Sequence, residues 1–182
     1  MRVIAGSARR LVLVTPDGEN TRPTQDRIKE TLFNMIQNEV PGCVFVDLFA
    51  GSGGIGIEAL SRGALKAYFV ENAAEPYKCI QTNLHTTRFE EVATVLKQDV
   101  TLALRGIHEK EVDIVYLDPP YEAGLYDRTL AQLQEMPYVT ENTFLIAEAP
   151  LNMDFDFAET FGFRIIKEKE YKTNKHVFLK RV

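Results

Sequence analysis

Residues 46–56 read VDLFAGSGGIG, an apolar run that leads directly into a glycine-rich turn. Gly51, Gly53 and Gly56 have the spacing G-x-G-x-x-G, and the sequence after them has helical character. Glycines at such a junction allow a tight turn and a close approach of the backbone to a ligand. Glu71 follows Gly51 by about 20 residues and ends the next apolar run, where a carboxylate can accept both hydroxyl hydrogens of a ribose. The stretch therefore predicts a strand, a turn and a helix that bind an adenosine-bearing ligand. An ordinary surface turn is the alternative.

The same alternation of strand and helix continues through most of the chain. Strands are predicted at 43–49, 66–71, 93–99, 112–118 and 143–149, and helices at 54–63, 73–87, 100–107 and near 126–136. Continuous apolar strands that alternate with helices are typical of a parallel sheet covered on both faces. Residues 161–182 differ, because basic and apolar residues alternate in two segments joined by a turn. They predict an antiparallel hairpin that closes a seven-stranded α/β sheet.

Two further elements precede this alternation. Residues 2–6 (RVIAG) and 11–15 (LVLVT) are predicted to pair as a short β-hairpin. A helix is predicted over 24–38, because apolar residues recur there at helical spacing and Thr24 is a suitable N-cap.

Length and composition limit the class of protein. The 182 residues, 45% of them hydrophobic, suffice for one substantial core. Without a break in composition we expect one domain over 1–182, made of a hairpin extension at 1–20 and a ligand-binding core at 21–182. No apolar run approaches the ~18 residues of a membrane span. Cys43 and Cys79 have no neighbours that would form a metal site or a disulfide framework. These features predict a cytoplasmic protein without a metal.

Charge is distributed unevenly along the chain. The net charge is −5, yet residues 1–10 carry only basic side chains, those of Arg2, Arg9 and Arg10. Basic residues also outnumber acidic ones in 164–182, so the excess of acidic residues lies between the two ends. Such asymmetry indicates either a nucleic-acid face or simply solvated termini.

The carboxylate before the glycine turn restricts the ligand. Asp47 would oppose the pyrophosphate of a dinucleotide, but it suits the ammonium and sulfonium groups of S-adenosylmethionine. Asp99, after the third predicted strand, is placed for the adenine amino group. The pattern D-x-F-x-G-S-G, which includes Phe49 and Ser52, resembles motif I of class I methyltransferases. This resemblance implies a Rossmann-like methyltransferase fold in which these residues contact the cofactor.

A second motif ends the fourth predicted strand. Residues 113–121 read DIVYLDPPY, and ligands of open α/β sheets bind where such strands end. The motif resembles the (N/D/S)-P-P-(Y/F/W) signature of amino-group methyltransferases. Asp118 and the carbonyl of Pro119 can accept both N–H bonds of an exocyclic amine and so turn its lone pair toward the cofactor's methyl group. Pro119 and Pro120 stiffen the backbone, and Tyr121 can stack on the base. A plain Asp-Pro turn is the alternative.

The N-terminal sequence is more specific than either motif. MRVIAG and TRPTQDRIKETLFN (21–34), together with VDLFAGSGGIGIEALSRGA and LDPPY, closely resemble the RsmD family of 16S ribosomal RNA guanine-N2 methyltransferases, over essentially the whole chain. The resemblance implies methyl transfer from S-adenosylmethionine to N2 of a guanine, with S-adenosyl-L-homocysteine as product. It also implies that Arg22 and Thr24 lie near the methionine end of the cofactor. A cluster of salt bridges at the start of the helix is the alternative for Arg22.

By the same resemblance the partner is 16S ribosomal RNA, contacted by Arg2, Arg9 and Arg10. The target base must be unpaired or flipped to reach a pocket of this kind. Because the hairpin is only modestly basic, we expect ribosomal proteins of a small-subunit assembly intermediate to contribute to binding.

Two other functions stay open from the sequence. One is an adenine-N6 methyltransferase of DNA or RNA, although the chain leaves no room for the target-recognition region of a DNA enzyme. The other is a non-catalytic RNA-binding assembly module, which predicts degraded motifs that are not observed. The three histidines have no spacing for a metal or a triad and need no role. Glu148 stays undecided between the guanine edge and the surface, and the role of Tyr126 stays open.

Overall fold

The computed structural model of the protein describes residues 1–17, 23–120 and 124–182. Seven strands within this part of the chain form one sheet: β1 (Val44–Asp47), β2 (Lys66–Val70), β3 (Ala93–Leu96), β4 (Ile114–Leu117), β5 (Phe144–Pro150), β6 (Phe163–Glu170) and β7 (Asn174–Arg181). Their spatial order is β3-β2-β1-β4-β5-β7-β6. Strands β1 to β5 are parallel, and β7 runs antiparallel between β5 and β6. The predicted mostly parallel sheet with a C-terminal antiparallel hairpin is confirmed.

Helices cover both faces of the sheet. On one face lie α1 (Pro23–Met35), α2 (Gly54–Ser61) and α3 (Ala74–Thr87), and on the other lie α4 (Val100–Arg105) and α5 (Leu125–Glu135). Short 3₁₀ segments occur at Glu90–Val92 and Asp156–Phe161. Alternate residues of a strand enter opposite cores: Phe45 packs with α1 to α3, whereas Val46 packs with α4 and α5. This alternation explains why the strands are apolar throughout.

The helix predicted over 24–38 is shorter than expected and starts one residue earlier. It begins at Pro23 and ends at Met35, so Thr24 lies inside the first turn instead of at the N-cap. A proline is favourable at the first helical position because its missing N–H is not needed there. No helix among the described residues is long and apolar enough to cross a membrane.

The N-terminal hairpin has little strand pairing of its own. Its only bridge among residues 1–17 joins Arg2 to Val12. The backbone N–H groups of Ile4 and Ala5 instead donate to the carboxylate of Glu58 in α2, at 2.8 and 3.0 Å. Glu58 is fully buried and is paired with Lys29 at 3.6 Å and with Arg62 at 2.8 Å. The hairpin is therefore held to the core by side chains of α1 and α2 more than by a strand ladder.

Candidate functional site

The order of the strands reverses between β1 and β4. The chain adds β2 and β3 on one side of β1 and then returns to place β4 on its other side. Asp47, the last residue of β1, is in register with Tyr116 of β4. Segments that follow these two strands therefore flank a crevice, as is usual for ligand sites in open α/β sheets. A cleft of about 1500 Å³ opens at this edge, and the acidic residues that line it include Asp47, Glu71, Asp99, Asp118 and Glu148.

Asp47 lies at the floor of the cleft with 1% of its surface exposed. Its Oδ2 accepts a hydrogen bond from the backbone N–H of Gly56 at 3.2 Å, whereas its buried Oδ1 has no hydrogen-bond partner among the described residues. Burial raises the pKa of Asp47 to about 7, and the backbone N–H groups of Gly56 and Phe49 offset this effect only in part. A buried carboxyl oxygen without a donor is costly. A cationic hydrogen-bond donor, such as the ammonium of S-adenosylmethionine, therefore fits this position.

The three glycines of the turn do different things. Gly51 and Gly53 have φ angles of 53° and 84°, a left-handed conformation that glycine adopts without strain. Gly51 and Ser52 line the cleft, and Gly53 is the N-cap residue of α2. A Cβ at position 56 would lie 2.3 Å from the ring of Phe69, so the third glycine allows α2 to pack closely on β2. A ligand in the cleft can therefore approach the backbone of the turn at Gly51 and Ser52.

Glu71 and Asp99 come after the neighbouring strands β2 and β3 and lie at the same edge of the cleft. The carboxylate of Glu71 accepts hydrogen bonds from the backbone N–H groups of Gly51 at 3.0 Å and Ala73 at 2.8 Å. Each carboxylate oxygen can accept a second hydrogen bond, so Glu71 can still bind ribose hydroxyls. Asp99 caps α4, and its hydrogen bonds from the hydroxyl and N–H of Thr101 lower its pKa. Both residues, together with Phe49, line the cleft as predicted for the adenosine part of the cofactor.

Asp118 faces the cleft immediately after β4. Asp118 and Pro120 line the cleft and are exposed to it, whereas Pro119 between them is buried. Although its side chain is open to solvent, Asp118 is walled by protein on the other sides. That desolvation, together with the charges of Glu148 and Asp47, raises the pKa of Asp118. The carboxyl group of Asp118 can serve as a hydrogen-bond acceptor toward the cleft, and the same role for the carbonyl of Pro119 stays a prediction.

For three of the predicted site residues the structure describes no side chain. Tyr121 and Arg22 lie outside the described residues. For Thr24 the structure describes the backbone alone, as part of α1. Within residues 1–17, 23–120 and 124–182 no group of His, Cys, Asp and Glu side chains is arranged to hold a metal ion.

A polar network beside Asp118 was not predicted. Glu148 of β5 accepts a hydrogen bond from the hydroxyl of Tyr116 at 2.5 Å and one from the side-chain amide of Asn174 at 2.5 Å. His176 lies in register with Glu148 across β5 and β7, with its Nε2 3.4 Å from the carboxylate. Tyr126, whose role was undecided, is buried and donates its hydroxyl hydrogen to the backbone carbonyl of Glu148. The members come from three strands and a helix, so no local pattern could have revealed the network.

A second unpredicted residue ties the N-terminal hairpin to the glycine turn. The buried side chain of Asn83 in α3 donates to the carbonyls of Val14 and Ser52, both at 2.9 Å. Its Oδ1 accepts the N–H of Val14 at 2.8 Å. The conformation of the turn is therefore coupled to the position of the hairpin.

The three arginines of the hairpin are on the surface. The side chain of Arg2 is 64% exposed and pairs with Asp26 at 3.4 Å. Arg9 and Arg10 are exposed, and Arg10 has a φ of 75°, which is unfavourable for a residue with a Cβ. Met1 of the same segment lines the cleft. Arg9 and Arg10 lie at the tip of the hairpin, where Ser7 and Ala8 are hydrogen-bonded to Ser61 at the end of α2.

Comparison with known proteins gives one family. Residues 1–180 match the family described as Conserved hypothetical protein 95. A Bacillus subtilis (strain 168) protein named "Putative rRNA methyltransferase YlbH" is 37% identical over 172 residues, which cover 93% of this chain and 92% of that protein. "Ribosomal RNA small subunit methyltransferase D" of Escherichia coli (strain K12) is 33% identical over 150 residues, which cover 82% and 74%.

A solved structure agrees over the whole length of the chain. The Escherichia coli protein described as "Putative methyltransferase yhhF" is 29% identical and superposes with a TM-score of 0.86, covering 100% of this chain and 97% of that one. The fold of the whole chain is therefore one already known from a solved structure.

Proposed function

The chain belongs to the Conserved hypothetical protein 95 family, the RsmD family, and from that premise we propose that it transfers a methyl group from S-adenosylmethionine to N2 of a guanine in small-subunit ribosomal RNA. The observation that carries the proposal is the meeting of two features in one cleft. An unpartnered buried carboxyl oxygen of Asp47 lies at the end of β1, and the Asp118–Pro119 acceptors lie at the end of the adjacent β4.

The first feature supports a site for the cofactor. Asp47 would hold its ammonium group, the backbone of Gly51 and Ser52 would lie along it, and Glu71 would accept the ribose hydroxyl hydrogens. Asp99 would receive the adenine amino group, with Phe49 packed beside the adenosine. When bound, S-adenosylmethionine supplies an electrophilic methyl group on a sulfonium. Arg22 and Thr24 remain proposals for the methionine end of the cofactor.

The second feature supports activation of an amine. The N2 amine of guanine is a poor nucleophile because its lone pair is conjugated with the ring. Asp118 and the carbonyl of Pro119 would accept its two N–H bonds and turn the lone pair toward the methyl group. Such orientation can supply much of the ~7–11 kcal/mol available from positioning. Tyr121 would stack on the base and fix its plane, an interaction worth about 1–3 kcal/mol.

Asp118 is also suited to take up a proton. When N2 gains the methyl group it carries one hydrogen too many, and that proton must leave. The pKa of Asp118 is raised by the partial desolvation of its side chain in the cleft and by the charges of Glu148 and Asp47, which makes its carboxylate a better base. The bond from N2 to the hydrogen would then break toward Asp118 Oδ, and the product amine would be neutral.

The N-terminal hairpin would form part of the RNA-binding surface. Arg2, Arg9 and Arg10 are exposed on the hairpin whose first residue lines the cleft, and they would contact phosphates, which position an RNA without reading its sequence. Because three arginines make a small basic surface, we propose that ribosomal proteins of an assembly intermediate contribute, and that the protein acts in the cytoplasm, where ribosomes assemble. Methylation rates on naked RNA and on partly assembled subunits test this point, and equal rates would count against it.

The function itself is tested by mapping modified nucleotides. Small-subunit RNA from a strain lacking the gene should lack one N2-methylguanine, as detected by mass spectrometry of nuclease fragments. The wild-type gene should restore it, and a gene encoding Asp118→Ala should not. Identical methylation maps with and without the gene would refute the proposal, and a lost methyladenine would favour the adenine-N6 alternative.

A further inference from the structure

Glu148 lies in the same cleft as Asp118, at the carboxyl end of the next strand of the sheet. Its side chain is 21% exposed and lines the cleft. Both carboxylate oxygens are already held: Oε2 by the hydroxyl of Tyr116 and Oε1 by the amide of Asn174, each at 2.5 Å. A carboxylate fixed on both sides has one direction in which its remaining lone pairs can bind a ligand.

The side chains around Glu148 donate hydrogen bonds that keep it as an anion. Burial opposes its ionisation, but hydrogen bonds from His176 and Tyr116 outweigh that effect, and the pKa of Glu148 is lowered. Asn174 is 7% exposed, and its buried Oδ1 has no hydrogen-bond partner among the described residues. The amide nitrogen of Asn174 is committed to Glu148. Next to Asp118 the cleft thus offers the anionic acceptor of Glu148.

This arrangement distinguishes the bases by the atom beside their amine. In guanine the N2 amine is adjacent to N1, which carries a hydrogen and is a donor. In adenine the N6 amine is adjacent to N1, and in cytosine the N4 amine is adjacent to N3, and both of these ring nitrogens are acceptors. A carboxylate beside the amine site would bind the N1–H of guanine and repel the lone pair of the other two bases. Repulsion between the carboxylate and a ring-nitrogen lone pair would disfavour adenine and cytosine, and such repulsion is a strong source of specificity.

We propose that Glu148, held in place by Asn174 and Tyr116, accepts the N1–H of the target guanine and excludes adenine and cytosine from the amine site. The inference rests on the proposed function and assigns the residue that selects its base. Lys172, on the turn before β7, also lines the cleft and is the nearby cation that can donate to O6 of the same guanine.

The test replaces the target guanine, once mapped, by 2-aminopurine in ligated small-subunit RNA. This base keeps the 2-amino group, has an acceptor at N1 and lacks O6, so the change in its relative rate caused by Glu148→Gln is the readout that is specific for N1. We expect wild-type kcat/KM to be about 10- to 100-fold lower on 2-aminopurine than on guanine, the range for a hydrogen bond to a charged group. Glu148→Gln presents an amide that can donate to N1. We therefore expect the ratio of kcat/KM on guanine to kcat/KM on 2-aminopurine to fall by at least about tenfold in this variant.

A matched control is available at the other end of the sheet. Glu109 also accepts from a tyrosine hydroxyl and a cation, those of Tyr68 and Lys66, but Lys66 begins β2 and lies far from its carboxyl end. Glu109→Gln should leave the base ratio unchanged. Affinity for S-adenosylmethionine, measured by calorimetry, should be similar in both variants and the wild type, because neither carboxylate is assigned to the cofactor.

The outcomes separate the inference from the proposed function. Equal wild-type rates on guanine and 2-aminopurine would overturn the inference, even if Glu148→Gln could not be purified. An equal loss by Glu148→Gln on both bases would also overturn it, since that is what a purely structural role predicts. Absence of any wild-type methylation of the guanine RNA would overturn the proposed function, and this inference with it.

Discussion

Three carboxyl groups that are close enough to influence one another line the cleft: Asp47, Asp118 and Glu148. The charges of Glu148 and Asp47 both raise the pKa of Asp118, and burial raises the pKa of Asp47 to about 7. Only Glu148 has donors enough to keep its pKa low. Like charges in one desolvated site oppose joint ionisation, so a cationic ligand is the natural complement of this cleft.

Asp47→Asn should change how stability depends on pH. The folded-state pKa of Asp47 is about 7 against an ordinary value of 3.8, so the native state holds more protons than the unfolded state in that interval. Stability therefore falls as pH rises from about 4 to about 7, and the asparagine variant lacks this loss. Urea unfolding should show that the free energy of unfolding of the variant, relative to that of the wild type, increases across this pH interval by a few kcal/mol at most. A stability difference that does not change with pH would contradict the assignment.

Asp118→Asn should separate chemistry from cofactor binding. Asparagine can accept one N–H bond but has no charge and cannot take up the proton. We expect kcat to fall by roughly 10- to 100-fold or more, while affinity for S-adenosylmethionine changes little. Single-turnover methylation and calorimetry measure the two quantities. Asp154→Asn, at an exposed loop position, is the control and should leave both unchanged. Loss of cofactor affinity equal to the loss of rate would argue against a role for Asp118 at the amine.

At the scale of elements, the hairpin and α2 are joined by a buried carboxylate. Glu58 receives two backbone N–H groups and two cations, and it is fully buried. Removing one partner from such a group leaves the others desolvated and unpaired, which costs more than the group's net contribution. The hairpin has one strand bridge, so we expect its docking to depend on this residue.

Glu58→Gln tests that dependence. We expect a loss of about 3–5 kcal/mol in the free energy of unfolding, because Lys29 and Arg62 lose their buried counter-charge. Hydrogen exchange at Ile4 or Ala5 should accelerate, since glutamine keeps only one of the two oxygens that accept their N–H groups. Glu90→Gln removes a carboxylate whose side chain is 55% exposed and should cost less than about 1 kcal/mol. Unchanged exchange at residues 4 and 5 would show that the hairpin is held by other contacts.

What the sequence could reveal about these elements followed from local patterns. The strands, the left-handed glycines and the carboxyl-end positions of Asp47 and Asp118 are set by residues close together in the chain. The contacts of Glu58, Asn83 and Glu148 join segments that are 26 to 69 residues apart. Such contacts depend on the packing of α2 and α3 and on the register of β5 with β7, which periodicity does not encode. The helix start at Pro23 was missed because the N-cap rule was applied one residue too late.

On the scale of the whole molecule, an acidic protein carries a small group of exposed cations on its N-terminal hairpin. The net charge is −5, yet Arg9 and Arg10 are exposed on a hairpin anchored beside the cofactor turn. Each phosphate that a protein neutralises releases counterions, so RNA affinity becomes salt-dependent. We therefore expect a shallow dependence on salt, with few phosphate contacts and no long basic track.

Arg9→Ala combined with Arg10→Gly tests this surface. The slope of log affinity against log salt for small-subunit RNA should decrease by about 1–2, since two phosphate contacts are lost. Glycine relieves the left-handed strain at position 10, so stability should not fall. Arg105→Ala, exposed at the end of α4 on the opposite face of the sheet, should leave the slope unchanged. An equal salt slope for the Arg9 and Arg10 double variant and for Arg105→Ala would show that the hairpin is not part of the RNA-binding surface.

The central claim is tested most directly by a crystal structure of the protein with S-adenosylmethionine. The account predicts the ammonium group against Asp47, the ribose hydroxyls on Glu71 and the methyl group directed toward Asp118 and the carbonyl of Pro119. An adenosine bound elsewhere, or a methyl group that points away from the corner at the end of β4, would contradict it.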